Sequence, residues 1–469
     1  MTSAGDIRKS IKSNSIKWVD LQFTDLFGAL RSVTIPADDV DEASFKKGFE
    51  KLDGSSIRGF LEIEESDMVL MPIQKTFVGI PWQTGVARIL NKVYYKSGEK
   101  RFENDPRYIA ESTVKHLSGL GYNSFFGPEL EFFLFDKLSL DVSNPISGTG
   151  YRIDSSESPL SNNGDAIGYK LGYYPVTPRD KTYNTRLAIA NVLSDNFGIS
   201  VEAVHHEVAT SGQCEITYRF SEMLDAADSL QTVKYVIRNI AAKNGQVAVF
   251  MPKPFTGDNG SGLHTNFSLW GTKDRKNLFY DGTDKYAELS QLGRYAVGGI
   301  LEHARALSAI VSPTTNSYRR LVPGYEAPVY VAWGKSNRSA VIRIPSYSRK
   351  NAKTKRIEYR APDPTSNPYL SFSAVAMAAL DGIKRKIDPG DPLDENIYHM
   401  TKSRRNELKI RELPGSLETA VEELKSDSDF LLKTFPKAMV EKYIDLKSEE
   451  TREINSYPSP IEFYHYLNI

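Results

Sequence analysis

Two glutamates two residues apart, Glu129 and Glu131, open the apolar run Phe126-Gly127-Pro128-Glu129-Leu130-Glu131-Phe132-Phe133-Leu134-Phe135. The run reads as a strand. Side chains alternate along a strand, so Glu129, Glu131, Phe133 and Phe135 share one face while Leu130, Phe132 and Leu134 line the other. Both faces are apolar enough to be buried. Paired carboxylates on a buried face lose hydration and repel each other, which is tolerable only beside a compensating cation. The competing reading is a strand whose first residues stand in solvent, with the acids marking its wet end.

A second acidic pair follows. Val201–Val208 and Cys214–Phe220 alternate around Ala209-Thr210-Ser211-Gly212-Gln213, a hairpin loop. A turn centred on Ser211 sets Glu207 directly opposite Glu215, with Cβ atoms about 5 Å apart, again calling for a cation unless the face is wet. His205 and His206 point to opposite faces and read as hydrogen-bonded structural histidines. Asp258-Asn259-Gly260-Ser261-Gly262-Leu263-His264 is a glycine-rich loop leading into another alternating run. It lacks the GK[ST] ending and dinucleotide spacing, so it is a weak phosphate motif and His264 gains meaning only from company. Seven arginines lie between Arg319 and Arg360. Arg343 shares a strand face with Val341, and Glu358 shares one with Arg356 and Arg360. Guanidinium forks grip carboxylates and phosphates at two points, which favours a polyanionic ligand over a merely solvated basic face. Five glutamates and one histidine beside arginines suit Mg²⁺ or Mn²⁺ and phosphoryl transfer from ATP.

The elements that position these groups belong to an α+β chain. It has 469 residues, 40% apolar and 25% charged, and 59 basic residues against 59 acidic ones, so no overall field favours nucleic acid or an anionic membrane. One cysteine, Cys214, excludes intrachain disulfides. The polar start and the short apolar stretch Leu370–Leu380 lead to the expectation of a cytoplasmic protein without a membrane span. Residues 1–104 read as a small β-rich domain beginning with a hairpin over Ile16–Pro36. A capped helix start at Asn104-Asp105-Pro106 places the boundary there, with 105–469 as the larger domain. Helices are expected at Thr185–Phe197, Asp225–Asn244, Tyr286–Ala309, Pro368–Ile383 and throughout the chain after Ser416, around a mainly antiparallel sheet. The polar connection Asp141–Asp180 is too long for a passive linker, so it reads as functional or mobile.

Taken in order, Asp53-Gly54-Ser55-Ser56-Ile57, Gly127-Pro128-Glu129 with Glu131, His206–Glu215, Asn259–Gly262 with His264, Asn316–Pro328, Asn337-Arg338-Ser339 and Arg356-Ile357-Glu358 resemble glutamine synthetase of the bacterial and archaeal type I class. The resemblance covers nearly the whole chain. It implies an N-terminal β-grasp domain, a C-terminal catalytic domain, and twelve subunits in two stacked six-membered rings. Each active site would lie between neighbours, with the Asp53 loop supplied by the adjacent copy. By position, Glu131, Glu207 and Glu215 would hold a first metal, and Glu129, His264 and Glu358 a second. Asn259, Gly260, His264, Arg320 and Arg360 would contact glutamate. Phe220, Ser268, Arg338, Arg343 and Arg356 would contact the nucleotide. Asp53 would hold ammonium, Arg338 would assist catalysis, and Glu326 would sit on a flap shielding the site from water. L-glutamate, ammonium and ATP are the implied substrates, Mg²⁺ or Mn²⁺ the implied cofactor at two or more ions per site, and small regulatory proteins are admitted as partners.

The sequence departs from the family in two places. Tyr398 matches the adenylylated tyrosine by position only, because His399-Met400-Thr401-Lys402 follows it. Glu62 stands where the feedback-inhibited subclass has arginine. Both departures argue against those modes of control. The rival readings are a γ-glutamyl-amine ligase of the same fold, acting on a polyamine or ethanolamine, and a non-catalytic relative. Asp53 favours ammonium over a larger amine, and retention of every matching metal and flap residue favours an enzyme.

Overall fold

A computed structural model describes residues 3–61, 66–96, 98–144, 148–159, 164–325, 327–346 and 350–467. The architecture is α+β, a small N-terminal β-grasp unit followed by a larger unit of helices around a mainly antiparallel sheet. In the first unit the Ile16–Pro36 hairpin forms as β1 (Trp18–Thr24) and β2 (Leu30–Pro36). It is joined by β3 (Phe49–Asp53), β4 (Asp67–Pro72), β5 (Val78–Gly79) and β6 (Val86–Tyr95), in the order β2-β1-β6-β4-β3 with β5 on β6. Alternation puts Val19, Leu21 and Phe23 of β1 into one core with Ile89, Val93 and Phe102.

The second unit starts as the sequence predicts, with Asp105 capping the helix Pro106–Gly119. Its strands are β7 (Tyr122–Phe135), β8 (Lys137–Asp141), β9 (Gly150–Asp154), β10 (Val201–His206), β11 (Gln213–Tyr218), β12 (Ser221–Glu222), β13 (Val247–Val249), β14 (Leu263–Gly271), β15 (Tyr330–Lys335), β16 (Ala340–Ile344), β17 (Ile357–Tyr359) and β18 (Arg411–Glu412). The main path runs β10-β11-β7-β14-β17-β16-β15-β18, β12 and β13 also pair with β7, and β8 and β9 form a separate hairpin at the start of the Asp141–Asp180 connection. Only the β15–β16 pairing is parallel among these described strands.

Strand β7 divides its faces as its alternation requires. Leu130, Phe132 and Leu134 enter the main core, whereas Phe133 and Phe135 join a small cluster with Ala209 and Val249 on the other side. Behind the sheet, the Arg107 guanidinium grips Asp228 with two 2.9 Å hydrogen bonds, and the Tyr369 hydroxyl donates to the same carboxylate at 2.7 Å. Three helices are thereby fixed to one another beneath the site-bearing face. Among the described residues no helix is long and apolar enough to cross a membrane.

The expected helix Tyr286–Ala309 is corrected. Helix begins only at Gln291, capped by Ser290, and breaks at His303 into Gln291–Glu302 and Ala304–Val311. Glu288 has φ +53°, incompatible with a helical start. At the break, His303 Nδ1 donates to Asp427 at 2.8 Å and Nε2 donates to Asp381 at 2.9 Å. A ring that donates from both nitrogens is an imidazolium. Burial opposes that charge, but the two carboxylates outweigh it and raise the pKa above the ordinary 6.5. The clamp is therefore complete below the unfolded value and lost as pH rises through the folded one. His303→Gln should cost about 2 kcal/mol of thermal stability near pH 6 and much less near pH 8.5, read by melting at both pH values.

Candidate active site

The register of the large sheet assembles the chemistry row by row. Glu215 lies opposite Glu131 on one side and His205 on the other. Glu129 lies opposite Thr217 and His264. Asn266 is opposite Gly127 and Glu358, and Glu358 is opposite Arg343. These positions share one face, so side chains from six strands converge on a cavity of about 200 Å³. The cavity is lined by Glu129, Glu131, Glu207, Glu215, Asn259, Gly260, His264, Arg320, Arg338, Arg343, Arg356, Glu358 and Arg360.

The expected Glu207–Glu215 opposition is corrected, because Glu215 pairs with His205 and Glu207 donates its backbone N–H to Gln213 O at 2.8 Å beyond the strand end. The hairpin centres on Thr210 rather than Ser211. Moving the centre by one residue shifts each partner by two, and a two-residue shift preserves the face. Glu207 consequently still reaches the cavity. His205, read from sequence as structural, reaches it too: its Nδ1 is 3.6 Å from Glu207 and its Nε2 is 3.5 Å from Glu215. His206 fits the structural reading, buried between Glu157 at 3.1 Å and the Glu207 carbonyl at 2.7 Å.

Donor atoms gather into two clusters whose members lie within 4.8 Å of one another, Glu129–His264–Glu358 and His205–Glu207–Glu215. Glu131 adjoins both. It accepts from Gly262 N at 2.9 Å and Gln213 Nε2 at 3.2 Å, and its carboxylate is 3.7 Å from His264 Nε2. Burial pushes the Glu131 carboxyl well up from its ordinary range, and the charges of Glu207 and Glu215 add to the rise. Burial followed by Glu129, Glu207 and Glu358 does the same to Glu215. Burial, then the Arg360 guanidinium, holds His264 well below the usual range, leaving a neutral imidazole with a lone pair to offer. Crowded carboxyls that resist ionisation and one neutral imidazole are a donor set suited to hard divalent cations.

The cationic side is equally built. Glu358 is fully buried and bonded to the guanidinium groups of Arg343 and, at 2.7 Å, Arg360. Arg360 Nε has no acceptor among the described residues, so a buried donor is left for a ligand. Arg320 is anchored through its guanidinium to the carbonyls of Arg360, Ala361 and Pro362. Gly260 is forced by close approach, since a Cβ there would stand 2.2 Å from Pro252 O. Arg338 is exposed at the cavity mouth.

A second cavity of about 200 Å³ opens on the other side of Glu129, lined by Phe125, Gly127, Thr217, Phe220, Ser268, Lys353 and Arg356 among others. A Cβ on Gly127 would come within 3.1 Å of Phe220 Cβ, so glycine keeps this cavity open. Phe220, Ser268 and Arg356 therefore meet, and Arg356 lines both cavities. Asp53 does not meet them. It lies at the exposed end of β3 in the small unit, accepts hydrogen bonds from Ser55 and Ser56, and lines neither cavity. Glu326 and Glu62 lie outside the described residues. Tyr398 is partly buried and donates from its hydroxyl to Ala327 O at 2.5 Å.

Sequence reasoning missed His205, Gln213, Tyr173 and Tyr174 as cavity residues. Parity with Glu207 could have found His205. The tyrosines lie in the long connection that read as functional, but nothing in their spacing selects them.

Comparisons with known proteins agree with the geometry. The family model for the glutamine synthetase catalytic domain matches residues 103–466, and that for the glutamine synthetase β-grasp domain matches residues 15–96. A glutamine synthetase of Sulfolobus acidocaldarius is 62% identical over 459 residues, covering 98% of this chain and 97% of its own. One from Aquifex aeolicus is 44% identical over 469 residues, covering 98% and 97%. A Plasmodium falciparum glutamine synthetase solved by cryo-electron microscopy has a TM-score of 0.88 at 29% identity, covering 99% of each chain.

Proposed function

The chain belongs to the glutamine synthetase family and is a glutamate–ammonia ligase, and we propose that it forms glutamine through γ-glutamyl phosphate in the cavity between Glu131 and Glu358. The enzyme uses ATP and a divalent cation, which we propose to be Mg²⁺ or Mn²⁺ from the oxygen-rich donor set. The observation that carries the site assignment is the row Glu129, His264 and Glu358, backed by Arg343 and Arg360, on one sheet face.

In this reading Glu131, Glu207 and Glu215 hold one cation, and Glu129, His264 and Glu358 the other. Bound cations would neutralise phosphate oxygens and polarise the transferring group. Arg338 and Arg343 contact phosphate, and Phe220, Ser268 and Arg356 hold the nucleotide in the second cavity. Asn259, Gly260, His264, Arg320 and Arg360 fix glutamate so that its γ-carboxylate oxygen meets the terminal phosphorus. That oxygen forms the new P–O bond as ADP leaves. Ammonia then attacks the acyl carbon, phosphate departs with the C–O electron pair, and the nitrogen loses a proton. The first step is necessary because a carboxylate has no leaving group that ammonia can displace. Asp53 from a neighbouring copy would hold ammonium and take up its proton, which fits its exposure and its absence from both cavities. Glu326 would exclude water from the acyl phosphate.

The family implies an oligomer, and we propose a dodecamer of two hexameric rings, cytoplasmic and open to small regulatory proteins. The domain division is proposed at 104/105, supported by the helix cap at Asp105 and by the separate core that ends with Phe102.

Phosphate release should be measured with glutamate, ATP, Mg²⁺ and a panel of amines. Ammonium is expected to give the largest kcat/KM, with polyamines and ethanolamine at least about 100-fold lower. Release that requires a polyamine and ignores ammonium would refute the reading.

A further inference from the structure

One strap of chain connects the carboxylate cluster to the cavity wall near residue 325. Gly172 N donates to Val208 O at 3.1 Å and Tyr174 N to His206 O at 3.4 Å, so the strap is laced to the segment carrying Glu207. The approach admits only glycine at 172, where a Cβ would lie 2.4 Å from Ala209 O and 2.5 Å from Glu207 O. Lys170 and Tyr174 on either side adopt φ +58° and +57°, conformations that side-chain-bearing residues hold only when their surroundings impose them.

The strap presents Lys170 to Tyr325. The Lys170 ammonium lies 4.3 Å from the Tyr325 ring centroid and donates to Gly324 O at 3.5 Å. Lys253 arrives from a different segment, with its ammonium 3.8 Å from the same centroid. Its backbone is pinned by Asn316, which accepts from Lys253 N at 2.8 Å and donates to Lys253 O at 3.0 Å. Two like charges on one ring are tolerable because the electron-rich face attracts both. Burial, offset in part by Asp258 and reinforced by Lys170, lowers the Lys253 pKa to about 8. Beyond residue 326, Tyr398 holds Ala327 O. Tyr325 and Ala327 both line the cavity that holds Glu207 and Arg320.

We propose that Lys170 and Lys253 are positioning residues for amide formation, holding the Tyr325 ring as the part of the cavity wall that keeps water from the acyl phosphate. The proposal rests on the γ-glutamyl phosphate reading. When the ring is not held, water attacks the acyl carbon in place of ammonia, releasing phosphate and regenerating glutamate, so that ATP is hydrolysed without amide formation. The lysines touch no reacting atom, and their effect is on partition between two nucleophiles.

The test is the ratio of ADP to glutamine produced by the full-length enzyme at limiting and saturating ammonium. Lys170 is exposed, so its replacement does not threaten the fold. Lys170→Met keeps the chain length and removes the charge. It is expected to raise the ratio at limiting ammonium about 5-fold, the factor one cation–π contact supports, with kcat at saturating ammonium within about 2-fold of wild type. Tyr325→Leu should raise the ratio at limiting ammonium by a similar factor. Lys170→Arg and Tyr325→Phe, which keep a cation over an aromatic face, should restore coupling. An unchanged ratio in Lys170→Met and Tyr325→Leu overturns the proposal, as does an arginine variant that leaks as much as the methionine one. A wild-type enzyme that consumes ATP with ammonium yet forms no glutamine overturns the underlying reading together with it.

Discussion

Glu358→Gln is expected to lower kcat by about 1,000-fold, the scale on which loss of a group stabilising transition-state charge is felt. Glu358 is fully buried, contributes a donor atom to the cluster with Glu129 and His264, and is the common partner of Arg343 and Arg360. Glutamine preserves the shape but removes the charge on which both guanidinium groups converge. Two buried cations then face each other uncompensated, and breaking a buried ion pair from one side costs about 3–5 kcal/mol. Activity and melting temperature should therefore fall together, whereas Arg338→Lys, an exposed residue, should change activity alone. Retention of more than about a tenth of wild-type kcat by Glu358→Gln would remove Glu358 from the proposed centre.

Removal of divalent cations should make stability strongly dependent on pH. Without a cation, Glu131 and Glu215 have folded-state pKa values raised above the ordinary 4.5 by burial and by neighbouring carboxylates. The native protein then holds protons that the unfolded chain has released. Stability is highest below the unfolded value and falls as pH rises through the raised ones. A divalent cation takes over the work of those protons, so the increase in melting temperature on adding Mg²⁺ should be larger near pH 8 than near pH 5.5. At 100 times the dissociation constant the stabilisation is about 2.7 kcal/mol. Glu215→Gln, which relieves the repulsion directly, should raise the melting temperature of the chelator-treated protein near pH 8 and shrink the increment from metal. Equal increments at both pH values would contradict the electrostatic account.

Strand alternation made much of this site legible before any coordinates. It placed Glu129 with Glu131, and Arg343 and Glu358 on faces of their own strands, because side-chain direction is a local property of the chain. The helix cap at Asp105 and the helix end at Phe197 were legible for the same reason. Cross-strand partners were not. That Glu131 faces Glu215, or that Glu358 faces Arg343, depends on pairings between distant segments whose register no single strand encodes. The hairpin around Thr210 shows the limit: loop composition alone places its centre one residue too far along, the opposing residue differs, and only the preserved parity keeps Glu207 on the right face. The break at His303 escaped because helical periodicity continues through it, while its cause is a tertiary clamp to Asp381 and Asp427. The division of Glu129 and Glu131 between two cations came from resemblance, not from alternation, and the two donor clusters with Glu131 adjoining both support it as a proposal.

The central claim, that ATP activates the γ-carboxylate of glutamate before ammonia attacks, is tested most directly by oxygen transfer. Glutamate carrying ¹⁸O in its γ-carboxylate should be incubated with ATP, Mg²⁺ and ammonium, and the phosphate released should be examined by mass spectrometry. The account predicts one labelled oxygen in each phosphate formed, with the other retained in the glutamine amide. Phosphate free of label, with glutamine formed at the normal rate, would contradict it.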